Sequence, residues 1–161
     1  MNIEQLKRKI IDCRKCDRLV QFREKIALEK RKAYSNWEYW GKPVPGFGSK
    51  NAKIMVLGLA PAAHGGNRTG RVFTGDRSAD FLFRCLYHVG LSNQASSEHR
   101  NDGLELEGFI TTAVKCVPPG DKPTPKEKEN CEVFLNKEFE MLKNIKVILG
   151  LGKIGFDSYL K

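Results

Sequence analysis

Residues 55–80, MVLGLAPAAHGGNRTGRVFTGDRSAD, decide the fold of this chain. They open on an apolar run, residues 54–57, and break into a loop containing Gly58, Pro61, Gly65, Gly66, Gly70 and Gly75. After Asp76 the apolar spacing changes: Ala79, Phe81, Leu82 and Leu86 recur at helical intervals. That order predicts a buried strand, a long glycine-rich loop and a helix. A loop leaving the carboxyl end of a strand is where open α/β sheets bind ligands. Glycines let main-chain N–H groups approach a ligand closely, and His64, Asn67, Arg68, Arg71 and Asp76 add polar side chains around one isolated aromatic, Phe73. The stretch matches neither G-x-x-x-x-G-K-[ST] nor G-x-G-x-x-G, so the two common phosphate cradles are excluded. Taken alone, Phe73 suits either a core position or a stacking platform, and His64 either a structural hydrogen bond or chemistry.

Outward from this loop the chain alternates. Residues 3–30 carry helical apolar spacing on both sides of a C-x-x-C, and residues 31–53 form an irregular stretch with Trp37, Tyr39 and Trp40 near lysines. Such aromatics either stack on bases or cover the core. A strand is expected over residues 53–59, a helix over 78–89, a polar loop over 92–108 and a β-branched strand over 109–114. The proline-rich residues 115–125 cannot hold regular structure. A helix over 126–143, a strand over 147–151 and a further helix over 152–161 complete the order. Strand–helix alternation of this kind predicts an α/β fold with a parallel central sheet covered by helices on both faces. A length of 161 residues suits a single domain, residues 1–161.

Charge and cysteines narrow the function. The net charge is +9, and residues 1–53 hold 14 Lys/Arg against 6 Asp/Glu. A basic third of the chain suits a polyanion such as nucleic acid. No apolar run approaches the ~20 residues of a membrane span, and no signal-peptide pattern opens the chain; a cytoplasmic protein is expected. Of five cysteines, Cys85 lies among Phe81, Leu82, Phe83 and Leu86 and reads as a buried apolar residue. Cys13, Cys16, Cys116 and Cys131 remain, and in a reducing compartment four thiols suggest a metal site rather than disulfides. Spacing alone leaves zinc and an iron–sulfur cluster both open.

The segments CRKCDRLVQFRE, YWGKPVPGFG, GLAPAAHGGNRTGRVFTGD and TTAVKCVPP together resemble the iron–sulfur uracil-DNA glycosylases, most closely family 5 of that superfamily. The resemblance extends over nearly the whole chain. It implies a three-layer α/β/α sandwich, a 4Fe-4S cluster, and removal of uracil, and in some members hypoxanthine, from DNA. By position it implies that Cys13, Cys16, Cys116 and Cys131 hold the cluster and that Phe73 stacks on a flipped base. Gly58, Ala60, Ala62, Ala63, His64 and Asn67 would line the pocket with it. Family 4 carries Glu where this chain has Leu59, and Asn where it has Thr112, so a broader base range is expected. Without a carboxylate at position 59, Asp76 and Asp121 are the candidates for activating water. The family's third motif, a His-Pro-Ser segment after a fourth strand, has no counterpart in residues 1–161. On this reading the domain lacks its C-terminal strand, and the third strand is left as a sheet edge open to self-association. Two other classes fit the residues less fully: a DNA-binding module without catalysis, and an iron–sulfur electron carrier.

Overall fold

The computed structural model describes residues 1–160; position 161, the last of the expected C-terminal helix, lies outside them. Its elements run α1 (Ile3–Ile11), α2 (Asp17–Glu29), β1 (Phe47–Gly48), β2 (Ile54–Gly58), α3 (Gly66–Thr69), α4 (Arg77–His88), β3 (Phe109–Thr112), α5 (Pro125–Met141), β4 (Val147–Gly150) and α6 (Gly152–Tyr159). The sheet order is β1-β3-β2-β4. β2 runs parallel to both β3 and β4, and the two-residue β1 pairs antiparallel with β3. The expected parallel α/β sheet is therefore present, with one short antiparallel strand added at an edge. β4 forms the other edge, as expected for the third strand.

Alternation along the strands sorts the core into two faces. Met55 pairs with Phe109 and Val56 with Ile110. Val56 and Ile110 pack against Leu82, Phe83 and Leu86 of α4. Met55 and Phe109 pack on the opposite face with Phe139 and Leu142, while Leu6 and Ile10 of α1 meet Phe134 of α5 beyond them. The result is a helix–sheet–helix sandwich.

Local signals set the helix limits. Asn2 and Gln5 form a reciprocal capping box on α1, and Thr124 with Glu127 forms another on α5, where Pro125 takes the first turn. Cys85 is exposed, which corrects its reading as a buried residue. The buried stripe of α4 is Ala79, Leu82, Phe83 and Leu86, and this leaves Phe81 and Cys85 on the outer face. Among the described residues no helix is long and apolar enough to cross a membrane.

Candidate base pocket and thiol site

The loop that leaves β2 turns back on itself through α3, a four-residue helix that sequence periodicity cannot register. Phe73 lies on the returning arm at φ 46°, a left-handed conformation that a bulky side chain rarely adopts. Its half-buried ring rests on the end of the sheet. A Cβ placed on Gly58 would stand 2.8 Å from Phe73 Cζ, so glycine at the strand end makes room for the ring. The same Cβ position lies 3.7 Å from the Thr112 methyl, and Gly58 and Thr112 are register partners. Thr112 Oγ1 is buried with no hydrogen-bond partner among the described residues. Gly58, Phe73 and Thr112 thus form one corner at the carboxyl ends of the two central strands.

The outgoing arm adds donors. The main-chain N–H groups of Ala62, Ala63, His64 and Gly65 have no partner among the described residues. The Ala62 carbonyl accepts from the Asn67 N–H at 3.0 Å, which closes the turn. Tyr39 Oη lies 2.8 Å from His64 Nδ1 and accepts the Arg31 N–H at 3.2 Å. With Tyr39 donating, the imidazole carries its own hydrogen on Nε2. Burial, then the charges of Arg31 and Arg68, lowers the His64 pKa, so the ring is neutral near pH 7.

Framework residues hold this loop. Arg68 donates to the His64 carbonyl at 2.6 Å and the Gly75 carbonyl at 2.9 Å. Its guanidinium sits in the corner between two nearly perpendicular rings, 3.8 Å from the Tyr34 ring centre and 4.1 Å from that of Trp37. Trp40 packs against the core. Tyr34, Trp37 and Trp40 therefore brace the loop. Arg71 donates to both Asp102 oxygens at 2.9 and 2.8 Å, and to Thr74 and Ser97. Burial pushes the Asp102 carboxyl up, but Arg71 and the N–H groups of Glu98 and Leu104 outweigh it and bring it down to about 2. Nothing in the sequence pointed to Asp102; an acidic residue in a polar loop carries no local mark of its partner.

The expected site residues separate into groups. Ala62 and Ala63 are half-buried on the outgoing arm with His64. Ala60 packs instead against Leu19, Val114, Cys116 and Cys131. The Asn67 side chain is buried and donates to the Arg23 carbonyl at 3.2 Å, facing α2. Asp76 caps α4, with Oδ1 accepting the Ala79 N–H at 2.9 Å. Asp121 is exposed on the short turn Pro119–Asp121.

Cys13, Cys16, Cys116 and Cys131 line one narrow cleft together with Arg23. Cys13 and Cys16 come from the α1–α2 connection, Cys116 follows β3, and Cys131 lies on α5. Three of the sulfurs face N–H donors. Arg23 Nη1 lies 3.0 Å from Cys116 Sγ, Asn130 Nδ2 lies 3.3 Å from Cys16 Sγ, and the Lys115 main-chain N–H points at Cys131. Burial pushes Cys116 up to about 12 against the opposing charge of Arg23, and burial also raises Cys131. Such thiols are poor nucleophiles on their own and become thiolates on metal binding. Among the described residues no three His, Cys, Asp or Glu side chains converge on a point that a single ion could fill. The four cysteines come from three separate parts of the chain and share one cleft with Arg23 and Lys115.

Comparison with known proteins identifies the family of the chain. A profile described as Uracil DNA glycosylase superfamily matches residues 45–161. A Type-5 uracil-DNA glycosylase of Pyrobaculum aerophilum is 47% identical over 95% of this chain and 67% of its own length. One from Mycobacterium bovis is 48% identical over 92% of this chain and 56% of its own, and one from Thermus thermophilus 44% over 99% and 73%. A Type-4 uracil-DNA glycosylase of Archaeoglobus fulgidus stands further away at 30%. The chain thus spans between 56% and 73% of the length of these type-5 relatives. A profile covering most of the residues, and identities that drop sharply between the two types, lead to one placement: the chain belongs to the uracil DNA glycosylase superfamily, within its type-5 group.

Proposed function

We propose that this chain takes part in excising uracil, and related deaminated bases, from DNA by hydrolysing the N-glycosidic bond of a flipped nucleotide. A base stacked in a duplex is inaccessible, so it must leave the helix before reaction. The observation that carries the reading is Phe73: an aromatic ring held in a strained left-handed conformation over the glycine that ends β2. Strain of this kind persists where the surroundings enforce it and concentrates at functional sites. A flipped base regains on that ring part of the stacking it lost. Departure of the base leaves negative charge on it, which the free N–H groups of Ala62, Ala63, His64 and Gly65 and the Nε2–H of neutral His64 stabilise. Asp76 orients the attacking water through the carboxylate oxygen not used for the helix cap, and Asp121 is the second candidate. Single-turnover release of uracil from a labelled oligonucleotide tests the reading. An iron-replete protein that binds DNA and releases no base would leave only a binding role for this chain.

The exposed cations of the N-terminal third, including Arg8, Arg14, Lys15, Arg18, Lys25 and Arg31, supply a sequence-independent grip on phosphates. The cleft at Cys13, Cys16, Cys116 and Cys131 suits a 4Fe-4S cluster, which those four thiolates would hold. Its contribution is to fasten the α1–α2 connection to the segment after β3 and to α5. Iron analysis separates the cysteines: Cys131→Ala should lose iron, and Cys85→Ala should keep it. The open edge of β4, with Val147 and Leu149 exposed, is read as a site where a second copy pairs.

A further inference from the structure

Arg23 is the unusual residue of the thiol site. It is among the most deeply buried side chains of the protein, 2% exposed, on a helix whose other cations face water. Among the described residues it forms no ion pair. Its Nη1 reaches the Cys116 sulfur at 3.0 Å and the Cys13 carbonyl at 3.3 Å, and its Nε has no partner. Of the other deeply buried cations, Lys115 is balanced by Glu138 at 2.8 Å and Arg71 by Asp102, while Arg68 is held by the His64 and Gly75 carbonyls and by the Tyr34 and Trp37 rings. A buried guanidinium without an anion is costly, because its lost hydration is not replaced. Arg23 has neither an anion nor an aromatic ring against it among the described residues, and an anionic group held at the neighbouring thiols would supply the balance. An iron–sulfur cubane with four thiolate ligands carries net negative charge.

We propose that Arg23 is the counter-charge of the cluster; this rests on the cluster reading given above. The guanidinium balances the thiolates and donates to Cys116. The Arg23 carbonyl accepts from Asn67 Nδ2, and the Asn67 N–H and carbonyl hold Ala62 and Gly41. The Arg23 main chain thus touches the outgoing loop arm while its side chain faces the thiols.

The sign of the effect follows from electrostatics. A cation and an N–H···S bond both favour the more negative, reduced cluster, and cluster potentials respond to net charge and to such bonds. Arg23→Gln removes the charge and keeps an N–H donor, whereas Arg23→Lys keeps the charge. The midpoint potential of the iron-loaded protein should fall in Arg23→Gln and stay near the original value in Arg23→Lys. Loss of iron from Arg23→Gln with iron retained in Arg23→Lys supports the proposal equally. Equal potentials and equal iron content in all three proteins overturn it. A measurement on the unaltered protein does not depend on either variant folding. With nitrogen-15-labelled arginine, electron–nuclear double resonance on the reduced cluster should show coupling to a guanidinium nitrogen. Its absence in a protein that holds iron overturns the assignment of Arg23 alone. A native protein without iron overturns the cluster reading, and the role of Arg23 with it.

Discussion

Phe73 and Gly58 act as a pair, and their pairing gives the most local test of the pocket. Phe73→Ala should weaken handling of a flipped base by about 1–3 kcal/mol, the usual size of base–aromatic stacking. Gly58→Ala adds only a methyl group, yet should cause a similar loss, because that methyl would stand 2.8 Å from the ring. Affinity for undamaged duplex should be unchanged in both; titrations with uracil-containing and undamaged oligonucleotides measure the two quantities. A parallel fall in both affinities would make Phe73 a core residue. Asp76 poses a different question, since its carboxylate caps a helix and is also the leading candidate for orienting water. Asparagine caps helices as well as aspartate does. Asp76→Asn should therefore keep the melting temperature while lowering uracil release by about 10²–10⁴-fold, the usual contribution of a positioned general base. An unchanged rate would leave Asp76 with capping alone and shift attention to Asp121.

At the scale of elements, the loop is fastened to the segment 92–108 by Arg71 and Asp102. Asp102→Asn leaves the Arg71 guanidinium buried without its partner and should cost about 3–5 kcal/mol in urea unfolding. The pH dependence has a defined sign. The folded carboxyl lies at about 2, below its ordinary value of 3.8, so its contribution is fully present above 3.8 and disappears as the pH falls from 3.8 through about 2. Unfolding midpoints followed across that window should show the decline in the original protein and a weaker one in Asp102→Asn. Most elements were legible in the sequence because apolar spacing reports which face is buried. β2, α4, β3, α5 and β4 all lie within a few residues of their expected limits. What escaped was short or tertiary. β1 has two residues and α3 four, too few to show a period. Cys85 was misplaced because Phe81 and Cys85 look like core beside Leu82 and Phe83, and only the true stripe through Ala79 and Leu86 separates the faces. Phe73 stood out as a lone aromatic among glycines. Arg23 did not, because one arginine in a charged helix looks like any other until its burial is known.

Across the whole molecule, the basic N-terminal third and the open β4 edge make opposite demands on solubility. If copies pair at that edge as proposed, the net charge of +9 opposes their approach, while Val147 and Leu149 offer exposed apolar surface along it among the described residues. Raising the salt concentration screens the repulsion, so sedimentation velocity should show association growing with ionic strength. Val147→Lys should suppress that association and leave iron content intact. A monomer at every salt concentration would mean that the edge is protected as it stands. The sheet between these surfaces has a further property. Thr111 and Thr112 are consecutive, yet Thr111 donates to Glu138 on the α5 side, where Lys115 and the thiols gather, and Thr112 faces Gly58 and the Phe73 corner. One strand thus serves two neighbourhoods that do not share a side chain. On the proposed function, a substitution at position 112 would change the wall beside Phe73 without touching the Thr111–Glu138–Lys115 network on the other face. An inserted or deleted residue in β3 would exchange the two faces at once. This strand can diversify by replacement and not by changes of length.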